Sequence, residues 1–354
     1  MSSAPTAHAV ITGLGTAVRG VTGPEGLLGP LPPDHRRAPD PVSRLTGRGL
    51  RYKDRATKLA MVAARDALRA AALTDAAGGL TVPGVSVGVS ASTNYGNVDT
   101  VCETVRTIAA ESYLATSPMM LPATSSNVVA SWVAITHGLR GANLTLCNGP
   151  TSGLDAVNWA RLLIAAGRVE RMLVVGVEPD NPAVRHVTDA SEADPDGTGG
   201  APDLFDGAVA LVIESSASAG ARGVRPLAAV GPYARRGTHT AAVAEVRDRR
   251  PGPVGLWCVP EHPDGVRAPA PGLGAAVGSA PVCDLAALHG ATSGAHGVLQ
   301  CAAAAVWLDA RHGADDDMVL VSAGTGDAGG QDAGAALILT LPDTVPTGLA
   351  GLAR

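Results

Sequence analysis

The stretch Leu144-Thr-Leu-Cys-Asn-Gly-Pro-Thr-Ser-Gly-Leu-Asp-Ala156 decides the reading of this chain. A short β-forming run enters a sharp Gly/Ser turn, and a helix-forming segment leaves it. Enzymes use that arrangement to hold a reactive side chain at a helix N-terminus, where free backbone N–H groups face the reacting atoms. The position where such a nucleophile would stand is Pro150, and proline has neither a nucleophilic atom nor a backbone N–H. Proline is also favoured in the first turn of a helix, so Pro150 suits the start of the helix that follows.

Working outward, Ala9 to Thr12 reads as a buried strand and Arg55 to Ala72 as an amphipathic helix. Val85 to Ser90 and Leu144 to Cys147 read as strands, Ser125 to His137 and Leu154 to Gly167 as helices, and Met172 to Val177 as a strand. Strands alternating with helices indicate parallel βαβ units. The second half repeats this more loosely, with strands at Ala208 to Glu214, Met318 to Ser322 and Ala335 to Leu339 and a helix at Val298 to Arg311. Ser191 to Pro202 and Arg247 to Gly274 are rich in Pro, Gly, Asp and Arg and read as surface loops.

Several of these segments together resemble the β-ketoacyl-acyl-carrier-protein synthases of the thiolase fold. The resemblance rests on Ala9-Val-Ile-Thr-Gly-Leu-Gly15, Asp54-Arg-Ala-Thr-Lys-Leu-Ala60, Ser117-Pro-Met-Met-Leu-Pro122, His137-Gly-Leu-Arg-Gly-Ala-Asn-Leu-Thr145, Ser152-Gly-Leu-Asp-Ala156, Val174-Val-Gly-Val-Glu178 and Gly294-Ala-His-Gly-Val-Leu-Gln300. It implies an α/β thiolase-like fold in which two pseudo-equivalent βαβ halves, residues 1–215 and 216–354, pack in five layers, α-β-α-β-α.

The resemblance also shows what is missing. Active members carry the acylated cysteine at the position of Pro150, and its backbone N–H helps form the oxyanion hole; both are lost here. Their Lys-Ser-x-x-Gly-His-x-x-Gly-Ala-x-Gly pattern falls on Ala286 to Gly297, so the lysine position is Ala286 and the histidine position Ala291. His289 and His296 flank the latter and read as packing residues. The family's other histidine loop has its nearest counterpart at Pro260 to Gly265, where His262 follows the strand-like Leu256 to Val259. The region is shorter than is usual in the family, and the family's gate phenylalanine is replaced around Thr325.

A scaffold that keeps its segments while losing nucleophile, base and lysine resembles a chain length factor, the non-catalytic subunit of type II polyketide synthases. That resemblance implies a ketosynthase partner, an acyl carrier protein, and a phosphopantetheine-linked acyl chain held by the partner complex, with no cofactor bound by this chain itself. The strand Leu144, Leu146 and Cys147 would meet its counterpart across the heterodimer axis. Met119, Met120 and Leu121, then Thr124, Ser125, Val128 and Trp132 at helical spacing, would line the tunnel or the interface. The same spacing equally describes core packing. Many aromatic-pathway chain length factors carry glutamine at the position of Pro150, so this chain departs toward branches that make reduced polyenes.

Two other readings stay open. One is an acyltransferase with relocated chemistry at Cys147 or Ser152, although Cys147 lies about 10 Å from Pro150 along an extended strand and reads as a buried, inert thiol. The other is a homodimeric scaffold that docks an acyl carrier protein through Arg51, Lys53, Arg55, Lys58, Arg235 and Arg236.

Composition narrows the classes. The 354 residues carry 46% hydrophobic content and 44 glycines against 3% aromatics, so the core must be built from small aliphatic side chains, a composition that a GC-rich genome also produces. A net charge of −5 without a basic cluster argues against nucleic acid. Five cysteines without CxxC or zinc spacing suit a cytosolic chain. No apolar run reaches the roughly 18 residues a membrane span needs, and the N-terminus lacks a signal-peptide pattern.

Overall fold

The computed structural model describes residues 9–191, 203–261, 273–311, 318–324 and 333–342. The first half runs β1 (Ala9–Val18), α1 (Arg55–Ala70), β2 (Val87–Ser92), α2 (Val98–Ala110), α3 (Val128–His137), β3 (Asn143–Leu146), α4 (Ser152–Ala165), β4 (Arg171–Glu178), α5 (Pro182–Ser191) and β5 (Gly207–Ser215). After α6 (Ser216–Ala221) come β6 (Ala228–Arg236), α7 (His239–Arg249), β7 (Leu256–Cys258), α8 (Leu273–Val277), β8 (Val282–Cys283), α9 (Leu285–His289), α10 (His296–Ala310), β9 (Met318–Ala323) and β10 (Gly334–Thr340).

The ten strands lie in the order β3-β2-β4-β5-β1-β6-β10-β9-β7-β8. Outward from the centre, the five strands on each side repeat one pattern. β1 pairs antiparallel with β5, β5 antiparallel with β4, β4 parallel with β2 and β2 parallel with β3. β6, β10, β9, β7 and β8 follow in the same sequence of senses. The sheet is therefore mixed, with the parallel pairs expected of βαβ units on its two flanks and antiparallel pairs at its centre. The pairs β2/β3, β2/β4, β7/β8 and β7/β9 are parallel, while β5 and β10 run antiparallel to both their neighbours.

Alternation along the strands sets the layers, because successive side chains point to opposite faces. In β5, Ala208, Ala210 and Val212 join one apolar cluster with α1 and α3, while Val209, Leu211 and Ile213 join another with α4 and α10. In β10, Ala335, Leu337 and Leu339 face that same central cluster, and Ala336 and Ile338 face α7 and α8. Three helical layers separated by two halves of the sheet make the expected five-layer α/β thiolase-like fold.

Small residues let these layers approach. In β1 a Cβ at Gly15 would come within 2.1 Å of Ala63 O, and one at Gly13 within 2.5 Å of Ala67 O, so α1 lies directly on the strand backbone. α1 itself starts at Asp54, whose carboxylate accepts from Thr57 N at 2.7 Å and Thr57 Oγ1 at 2.7 Å, a built N-cap.

Several boundaries differ from the sequence reading. α3 begins only at Val128, since Leu121–Thr124 forms a separate 3-10 turn and Ser125 is extended after it. α2, read as nothing in particular, is a full helix whose Val105 and Ile108 stand exposed. β6 was also missed, because Gly231 and Pro232 interrupt it. Its register with β10 shifts there, from Leu337 opposite Tyr233 to Leu339 opposite Val230, and a bulge is where a proline without N–H can sit in a sheet.

Candidate functional site

The loop from β3 into α4 places Pro150 at the head of the central layer. Gly149–Thr151 is a single 3-10 turn with Pro150 in its first half, and Gly149 takes φ +74°, which favours glycine. Asn148 N donates to Ser152 Oγ at 2.5 Å, tightening the turn onto the first residue of α4. No backbone N–H at position 150 points into the space in front of the helix.

A cavity of about 350 Å³ lies beside Pro150, bounded by Asn94, Tyr95, Cys147, Glu261, Ser293 and His296, with Ala323 and Gly324 closing it from β9. Asn94, just past β2, clamps its two walls. Its side-chain amide donates to Gly149 O at 3.1 Å and Ser293 Oγ at 2.9 Å, and its carbonyl oxygen accepts from Gly149 N at 3.2 Å and Ser152 Oγ at 3.1 Å. One asparagine thus ties the Pro150 turn to the Ser293–Ala295 turn that begins α10.

The second wall is held by two carboxylates. Glu261 Oε2 accepts from Thr292 N at 2.9 Å, Thr292 Oγ1 at 2.7 Å and Ser293 N at 2.8 Å. Glu178, at the end of β4, accepts from Gly294 N at 3.0 Å, Asn94 N at 2.6 Å, Tyr95 N at 3.1 Å and Thr93 Oγ1 at 3.0 Å. Three successive backbone N–H groups of the 292–294 turn therefore end on acids, which holds Ser293 at φ +43°. Burial raises the Glu178 carboxyl to about 7, against the donors that favour its charged form.

Each residue singled out from sequence can now be placed. Cys147 lies past the end of β3, is exposed and lines the cavity, which corrects its reading as a buried thiol. Burial of its thiol, then the charge of Glu178, push its pKa above the ordinary thiol value, so it is not activated. Ser152 is fully buried, and its hydroxyl already serves Asn148 and Asn94. Ala291 lies beside Glu178, Glu261 and Ser293 in a small adjoining cavity of about 60 Å³. Ala286 sits on α9, with its carbonyl accepting from Gly290 N at 2.8 Å.

His289 is buried with Nε2 on Leu27 O at 2.8 Å, and burial lowers its pKa. His296 is buried at the cavity wall, with Nδ1 at 2.6 Å from Thr292 Oγ1 and Nε2 at 3.1 Å from Val259 O. Both ring nitrogens of His296 have protein partners. His262 and Thr325 lie outside the described residues.

The Ser117–Trp132 segment does not reach this cavity. Met120 and Leu121 line a separate cavity of about 180 Å³ with Thr100, Thr104 and Thr107 of α2, and Met119 is exposed beside it. Thr124 Oγ1 donates to Leu121 O and Ser125 Oγ to Asn127 Oδ1, both local turn contacts. Val128 is buried in the outer cluster of α1 and α3, and Trp132 packs against it with Lys53 Nζ 3.4 Å from the ring centroid. Leu144 and Leu146 are half-buried on β3, the outermost strand on its side.

Asn94, Glu178, Glu261 and Ser293 were given no role from sequence. Glu178 is the last residue of buried β4 and Asn94 lies just past buried β2, and that placement was the one signal available. Among the described residues no group of three or more His, Cys, Asp or Glu is placed to hold a metal ion. No helix among them is long and apolar enough to cross a membrane.

The β-ketoacyl synthase N-terminal domain profile matches residues 20–195. The chain belongs to the β-ketoacyl synthase family. It is 31% identical to the granaticin polyketide putative β-ketoacyl synthase 1 of Streptomyces violaceoruber over 205 residues, 53% of this chain and 49% of that protein. It is 32% identical over 92 residues, 26% of this chain and 22% of the relative, to 3-oxoacyl-[acyl-carrier-protein] synthase 2 of Vibrio harveyi. These matches span at most about half the length of the curated relatives. Among solved structures, the ishigamide ketosynthase/chain length factor superposes with a TM-score of 0.77 at 25% identity, covering 94% of this chain and 99% of that one. A type II polyketide ketosynthase solved with its acyl carrier protein shares the fold with a TM-score of 0.74 at 17% identity, covering 95% of this chain and 100% of that one.

Proposed function

We propose that this ketosynthase-family chain is a chain length factor, the non-catalytic subunit that pairs with a ketosynthase in type II polyketide biosynthesis. The observation that carries the reading is Pro150, a residue with neither thiol nor N–H, beside a cavity of about 350 Å³. Neither Cys147 nor Ser152 is set up to replace the missing nucleophile. Cys147 has its pKa raised and Ser152 is buried with its hydroxyl engaged. Condensation therefore belongs to the partner's cysteine, with the phosphopantetheine-linked chain delivered by an acyl carrier protein.

The surface supports a partner. Among the described residues β3 ends the sheet with one side of its ladder unpaired, and edge strands of this kind pair with another chain unless they are covered. Nearby elements expose large apolar side chains, including Ile135 on α3 and Trp159 and Leu162 on α4, all more than 40% exposed. The tunnel would be shaped at this face by Met119, Met120 and Leu121. A Pro150 that offers no amide donor speaks against decarboxylative priming and toward a reduced polyene pathway.

Native mass spectrometry of this chain co-expressed with a type II polyketide ketosynthase tests the proposal. A one-to-one heterodimer is expected, with intact ketosynthase activity. A stable homodimer indifferent to ketosynthase overturns it, and stoichiometric acylation of Cys147 or Ser152 by an acyl thioester would point instead to a relocated acyltransferase.

A further inference from the structure

Three of the five cysteines gather at one corner of the central layer, away from Pro150. Cys258 ends β7, Cys283 ends β8 and Cys301 lies on α10, and all three belong to or pack against the same apolar cluster. Cys258 and Cys283 are direct partners in the register of two parallel strands. Neighbouring strands run about 4.8 Å apart. That spacing falls inside the range of about 4.4–6.8 Å between Cα atoms that a disulfide spans.

We propose that Cys258 and Cys283 form a reversible oxidation site, a dithiol that a hydroperoxide converts into a disulfide joining β7 to β8. As register partners on adjacent parallel strands, the two residues present their side chains to the same face of the sheet. Their environments differ in the sense such a pair needs. Interaction with Cys258 lowers the pKa of Cys283 despite its partial burial, and Cys283 is the half-exposed member. Cys258 is fully buried, and its interaction with Cys283 together with burial holds it as the thiol. Thiolate character and access select the first sulfur to be oxidised.

The chemistry balances with the peroxide as sole oxidant. The Cys283 thiolate attacks one peroxide oxygen, an S–O bond forms, the O–O bond breaks, and the departing hydroxide takes a proton to leave as water. Cys258 then attacks the sulfenic sulfur, forming the S–S bond and breaking S–O. Its thiol proton leaves with the hydroxide as a second water. Two sulfurs lose two electrons and the peroxide gains them.

The site also has a structural reach. β8 is only two residues long and lies at the sheet's edge, held by Trp257 N on Pro281 O at 2.9 Å and Val259 N on Cys283 O at 3.1 Å. β7 leads directly to Glu261, and the carbonyl of Val259 accepts from Gln300 Nε2 at 2.7 Å. A covalent link would fasten that short edge to the strand that carries a cavity wall.

The full-length chain is treated with hydrogen peroxide in small excess, and then intact mass and unreduced peptide maps are measured. The expected result is a loss of about 2 Da, two hydrogens, with the Cys258 and Cys283 peptides joined and both effects reversed by dithiothreitol. Cys283→Ser should abolish the loss, while Cys147→Ser should leave it. Unchanged thiols, added oxygen on Cys283 without a link, or a Cys258 to Cys301 pairing would each overturn the proposal.

Discussion

Gly153 and Gly297 meet backbone to backbone where α4 crosses α10 in the central layer. A Cβ on Gly153 would stand 2.6 Å from Gly297 N, and a Cβ on Gly297 would stand 2.4 Å from Leu154 N. Neither neighbour is a flexible side chain that could swing aside. The crossing fixes the distance between the Pro150 turn and the Ser293 turn, which start these two helices.

Gly153→Ala is therefore expected to destabilise the fold by about 1–3 kcal/mol, the range of overpacking in a dense core. Urea denaturation should show a lower midpoint with an unchanged slope. A midpoint equal to the parent's would mean the helices can separate at no cost.

Pro150→Cys restores a thiol and an N–H at the mouth of the cavity. The variant should gain one thiol reactive toward iodoacetamide there, above the background of exposed Cys147. It should not condense acyl and malonyl thioesters, because Ala286 and Ala291 supply no lysine and no imidazole. Product formation by this chain alone would refute the idea that the site lost its chemistry as a set.

Glu178 makes stability depend on pH. Its folded pKa of about 7 exceeds the ordinary 4.5 of a glutamate, so between those values the folded chain holds a proton that the unfolded chain has released. Its contribution is greatest below pH 4.5 and declines as pH rises toward 7, by on the order of 3 kcal/mol in full. Melting temperatures measured across pH 5 to 8 for the parent and for Glu178→Gln should diverge in slope over that window. Equal slopes would remove Glu178 as the cause.

Trp132 and Met120 should separate packing from tunnel roles. Trp132→Ala removes the ring that packs on the outer cluster beneath Lys53, and should cost about 3 kcal/mol or more of stability. Met120→Ala, half-exposed in the Thr100 cavity, should cost far less and should shift the chain-length distribution made with the partner ketosynthase. An unaltered distribution would take Met120 out of the tunnel wall.

Much of this frame was legible before the structure. β4, β5, β9 and β10 are continuous apolar runs and α1 has a clear amphipathic period, so their burial follows from hydration alone. β6 was hidden because Pro232 reads as a strand breaker, and only the β10 register reveals the bulge that accepts it. Glu261 was hidden because its role depends on reaching the backbone of Thr292 and Ser293, more than thirty residues away. Pro150 stands out in the sequence because the residue type at a patterned position is a local fact. Cys147 could not, because its exposure depends on where β3 ends.

The two sets of five strands each carry a one-residue bulge in their central strand, Thr12 in β1 and the Gly231–Pro232 region in β6. The cavity opens at the junction of these duplicated frames, between the turns that begin α4 and α10. A seam of that kind takes its shape from both repeats and its reactivity from a few turn residues. Changing the turn residues alone can thus alter what such a seam does while the duplicated architecture around it stays intact.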